Sequence, residues 1–91
     1  MPPTDITDLI AQLRYQHREA KAHWAKHDAA VAGWQQRYHR EEALVASSAC
    51  TEIITTLNAN MRTGIDPNDW TNRDAQIAAF LGEAIEAEVA A

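Results

Sequence analysis

Between His23 and His39 the stretch HWAKHDAAVAGWQQRYH holds three histidines, two tryptophans and a tyrosine, and imidazoles so spaced are candidates for metal chemistry. His23 and His27 stand four residues apart, so on a helix both project from one side, with Glu19 one turn earlier. Imidazole and carboxylate together suit zinc or copper. Eight residues of helix nonetheless span about 12 Å, too far for Glu19, His23 and His27 to grip one ion. No glutamate follows the first histidine in the manner of His-Glu-x-x-His. The expectation is no metal site and no cofactor.

Other chemistry is weaker still. Cys50 lies in Ser-Ser-Ala-Cys with no histidine within a few helical turns by sequence, so no nucleophile is assembled. The loop from Asp66 to Ile77 alternates polar residues as a calcium loop does. It places Trp70 at the fifth position, no glycine at the sixth, and Ile77 where a bidentate glutamate is required. Phosphate loops, nucleophile elbows and dinucleotide fingerprints are absent from the sequence. The chain reads as having no catalytic residues and no enzymatic role.

The elements that carry these residues read as helices throughout, and the fold class is all-α. Ninety-one residues make one domain at the small end of what a single core supports. From Ile6 onward apolar or aromatic residues recur at heptad spacing through Ile10, Leu13, Ala20, Trp24, Val31, Trp34 and Tyr38, with His17 and His27 on the same seam. Gly33 falls off that seam while Val31, Trp34 and Tyr38 stay in phase across it. Gly33 could equally mark a turn between two antiparallel helices, but the kept phase favours one long helix over about residues 5–46, roughly 60 Å long. At Ser47-Ser48 the phase changes, and Ala46, Cys50, Ile53, Leu57 and Met61 form a new stripe. This predicts a second helix over about 48–62, or a kinked continuation of the first, then a loop over 63–71 and a third helix over about 72–90 bearing Ile77, Phe80 and Leu81. A rod of that length needs company, so the bundle is expected to be completed by self-association.

Function then follows from surface rather than chemistry. Ile10, Leu13, Trp24, His27, Val31, Trp34 and Tyr38 form the expected interface, with tryptophan as a favoured anchor. Histidines on such a seam predict an assembly that loosens as pH falls. Charge is divided along the chain: six basic residues against two acidic ones from Leu9 to Arg40, then nine acidic against two basic from Glu41 to the end. Arg14, Arg18 and Lys21 make a basic strip that, beside Tyr15, is the alternative nucleic-acid contact. The net charge of −5 and the lack of a helix-turn-helix or finger motif weigh against it. Glu83, Glu86 and Glu88, joined by Asp66, Asp69 and Asp74, form an acidic face able to imitate nucleic acid toward a basic partner.

A single cysteine permits no internal disulfide and fits a reducing compartment. The start MPPTDITDL lacks a signal peptide's flanks, and no apolar run approaches a membrane span. A soluble, cytoplasmic protein is expected. The Ala-rich, acidic composition is similar to that of many small phage and mobile-element proteins of high-GC bacteria, a likeness that implies no particular residues. Secreted WXG-type helical hairpins carry Trp-x-Gly in their turn, whereas the order here is Gly33-Trp34, so their motif is absent. The expected function is a non-enzymatic adaptor, inhibitor or assembly factor that binds itself and another protein.

Overall fold

The computed structural model describes residues 6–90, with side chains through Gly82. Three helices account for its regular structure: α1 over Ile6–Ala29, α2 over Gly33–Asn60 and α3 over Arg73–Ala90. The fold is all-α, with no strand among the described residues. No helix among them is long and apolar enough to cross a membrane.

The expected single helix over 5–46 is instead two helices joined by a three-residue turn, Ala30 to Ala32. Ala32 takes an extended backbone, φ −82° and ψ 136°, which stops one helix and starts the next. Its carbonyl accepts from the amides of Gln35 and Gln36, and the Gln36 side-chain amide donates to the Ala30 carbonyl at 3.0 Å. Gly33 is thus the first residue of α2, where its poor helix propensity costs little. The physical reason for the break is burial. Folding back lets the apolar faces of α1 and α2 cover one another within a single chain, which a rod cannot do.

The second expected boundary is also absent, because α2 runs unbroken through Ser47 and Ser48 to Asn60. The hydroxyls downstream bond within the helix rather than breaking it. Thr51 donates to the Ser47 carbonyl, Thr55 to Thr51 and Thr56 to Glu52, each one turn back. The phase change that suggested a boundary marks a change of neighbour along one helix. Ala43 and Ala46 are buried outside the main apolar cluster, whereas Cys50, Ile53, Ile54 and Leu57 belong to it.

That core occupies one end of the hairpin. Leu9 and Leu13 of α1, the Cys50–Leu57 face of α2, Ile65 of the connecting loop, and Ile77, Phe80 and Leu81 of α3 form one cluster. The loop before α3 is ordered by short-range bonds. Gly64 supplies a left-handed turn at φ +73°, Asn58 donates to the Ile65 carbonyl, and Asp66 accepts from the Asn68 amide. Asp69 accepts from both the backbone and the side chain of Asn72, and these bonds hold its carboxyl below the usual range. The molecule measures 45 × 30 × 22 Å, with a radius of gyration of 14.5 Å. A compact domain of this length would have about 12 Å. The excess is the other end of the hairpin, a two-helix arm that reaches past α3.

Candidate interaction surface at the hairpin tip

The expected interface divides between the two ends of the hairpin. Leu13 is fully buried and Ile10 packs against the core, so both serve the fold of a single chain. Trp24, His27, Val31, Trp34 and Tyr38 gather instead around the arm and its turn. Val31 is 96% exposed, Trp34 70%, Tyr38 52% and Trp24 36%. Leu44 and Val45 extend this apolar surface along α2. They are not the continuous stripe of one helix, because the turn places Trp24 on α1 and Tyr38 on α2.

The rings at the tip make two groups, Trp24 with His27 and His23 with Tyr38 and His39. Trp24 meets His27 edge-on at 5.5 Å, and Tyr38 meets His39 at 5.0 Å and His23 at 6.2 Å. His27 Nδ1 also lies 3.1 Å from the Asp28 carboxylate. His23, paired with His27 by sequence spacing, has its closest imidazole partner across the hairpin. Its Nδ1 stands 3.1 Å from Nδ1 of His39, and its Nε2 lies 3.6 Å from the Glu19 carboxylate. Desolvation against α1 pushes His39 below the ordinary imidazole range. Nearby His23, Lys26 and His27 add to that shift, and Glu42 opposes it. Among the described residues no group of three or more His, Cys, Asp or Glu gathers as a metal cluster.

A second feature flanks the arm where it meets α3. Arg73, the first residue of α3, is only 3% exposed, yet it is charged. Its guanidinium donates to Thr51 Oγ1 and to the carbonyls of Ser47 and Pro67, and it lies 3.8 Å from the Trp70 ring centroid. Trp70, Trp24, Lys21 and Leu44 frame a cleft of about 170 Å³ above it. Neither Arg73 nor Trp70 stood out as functional in the sequence, and only the fold brings them to the arm.

The basic strip is uneven. Arg18 and Lys21 are exposed on α1 beside the exposed Tyr15, whereas Arg14 is half-buried. On the acidic face, Asp66 and Asp69 spend their carboxylates on the loop's own turns. The side chains of Glu83, Glu86 and Glu88 lie outside the described residues. Cys50 is buried in the core, and burial raises its thiol, the reverse of what a nucleophile needs.

Comparison with known proteins brings no relative: no family model, no curated protein and no solved structure matches the chain.

Proposed function

We propose that this chain is a non-enzymatic helical interaction protein, an adaptor, inhibitor or assembly factor, that docks through the aromatic tip of the α1–α2 hairpin. A second copy of the chain is the first partner. The observation that carries this reading is the exposure of Val31, Trp34 and Tyr38 together, on an arm that α3 does not cover.

Two tips buried against each other cover twice the apolar area of one. Covering the exposed parts of Trp34 and Tyr38 is worth on the order of 6 kcal/mol per copy. Association costs about 4–15 kcal/mol in lost freedom and ordering. One copy's rings alone barely meet that cost, but two copies burying their tips against each other double the gain. Molar mass of the wild-type chain and of Trp34→Ala, measured by light scattering on a sizing column, tests the reading. An assembly in the first and a monomer in the second support it; the same mass in both rejects the tip as the contact.

The nucleic-acid alternative rests on Arg18, Lys21 and Tyr15, which share the exposed side of α1. It requires absorbance at 260 nm under the protein peak and retention that falls steeply with salt. If Gln at Arg14, Arg18 and Lys21 leaves retention intact, this strip is not the contact.

A further inference from the structure

We infer that His23 and His39 form an acid-sensitive clasp between α1 and α2, closed while at least one imidazole is neutral and released when both are protonated, so that acid parts the arm that carries the tip. The clasp is a property of one chain; only its bearing on docking rests on the function proposed above.

The two Nδ1 atoms stand 3.1 Å apart on different helices, with ring centroids 5.4 Å apart and planes tilted by 32°. At that distance one nitrogen donates and the other must offer a lone pair. A neutral pair meets this condition. So does a pair sharing one positive charge, and its hydrogen bond is the stronger for being charge-assisted. In a doubly protonated pair both nitrogens are donors and two like charges face each other, so the bond is lost and the rings repel.

The surroundings fit that cycle. Glu19, one turn before His23 on α1, holds its carboxylate 3.6 Å from Nε2 of His23, a counter-charge for that ring once protonated. His39 then supplies the lone pair. Desolvation is the largest influence keeping a proton off His39, followed by His23, Lys26 and His27 of α1, while Glu42 of α2 opposes them. Tyr38 lies edge-on to both imidazoles and is uncharged in this range. An open arm, with His39 near 6.5, therefore takes the second proton more readily than a closed one. Closure is favoured above about pH 6.5 and weakens as pH falls toward the depressed value.

The arm has little else to hold it. The main apolar cluster contains no residue between Leu13 and Cys50, and the arm's own buried apolar side chains are Ala20, Ala43 and Ala46. Release of the clasp therefore opens the arm locally while the cluster at the other end stays closed. Tyr38 links the clasp to the tip, since its ring leans on both histidines while half exposed.

Amide hydrogen exchange of the full chain at low protein concentration, from about pH 8 to about pH 4.5 and corrected for intrinsic rates, is the test. Below about pH 6.5, protection over residues 20–44 should fall at least about tenfold more than protection over residues 50–57. His23→Asn and His39→Asn should each abolish that excess, whereas His27→Asn and His17→Gln should keep it. Equal losses over the two segments, or an excess that His39→Asn retains, would overturn the clasp. Should an Asn variant lose helicity, imidazole nitrogen spectra of the wild type decide. His39 must titrate below 6.5 with His23 responding to the same step, and two rings titrating independently reject the clasp. Molar mass separates the two readings: a chain monomeric at every pH rejects docking through the tip, whereas exchange and the imidazole spectra decide the clasp.

Discussion

The guanidinium of Arg73 donates to the backbone carbonyl of Ser47 at 3.2 Å, tying the first residue of α3 to the middle of α2. The same group reaches Thr51 and the Pro67 carbonyl, and it stacks on Trp70. One buried side chain thus sets where α3 begins and how it lies across the hairpin. Arg73→Ala should destabilise the fold by about 2–4 kcal/mol, through lost charge-assisted bonds and lost packing of the stem. Arg73→Lys keeps the charge without the planar fork, and should recover only part of the loss. Urea midpoints of the three proteins check this.

Core and tip should respond oppositely to truncation. Leu13 is fully enclosed, so Leu13→Ala should cost about 2–5 kcal/mol. Trp34 is mostly in water within one chain, and Trp34→Ala should change the unfolding free energy of a single chain by no more than about 0.5 kcal/mol. Chemical denaturation at low protein concentration separates the two.

His17 predicts how stability follows pH. Burial lowers its pKa in the fold; Lys21 and Arg73 add to the effect, and Asp74 opposes it. The unfolded chain, with an imidazole pKa near 6.5, therefore binds the proton more readily than the folded one. Stability should be full above about pH 7 and decline as pH falls through 6.5 toward the depressed folded value. His17 faces this chain's own core rather than an oligomer seam, so the expected acid sensitivity belongs to the fold. Denaturant midpoints measured from neutral to acidic pH should fall for the wild type and fall less for His17→Gln.

Cys50 reports on opening of the core. Its thiol is enclosed and held above the usual range by burial, with Arg73 pulling the other way and Asp74 adding to the rise. Alkylation by iodoacetamide should be slow in the native protein and become fast in urea, with a midpoint matching loss of helicity. Rapid labelling of the native chain would mean that the end of the hairpin beneath α3 is open.

Helical class and the core stripe were legible because they rest on local periodicity. Ala46, Cys50, Ile53 and Leu57 were picked out by spacing alone and are buried. Gly33 offered a turn between antiparallel helices, but Ala30, Val31 and Ala32 before it carry no proline, no glycine and no side-chain cap, and register argued for continuity. Val31, Trp34 and Tyr38 kept the heptad phase across it, yet the gain that selects the turn is long-range burial of α1 against α2. The contact of His23 with His39 depends on that turn, so spacing paired His23 with His27 instead. Arg73 gave no signal, since its partners Ser47 and Thr51 lie more than twenty residues away.

The most direct measurement of the central claim is molar mass by light scattering on a sizing column, for the wild type, Trp34→Ala and Tyr38→Ala, with the 260/280 nm ratio recorded across each peak. The wild type should have a mass of at least twice the 10.1 kDa of one chain, free of nucleic-acid absorbance, and both variants should return toward one chain. A wild-type mass of one chain, or an assembly that both variants leave unchanged, would contradict it.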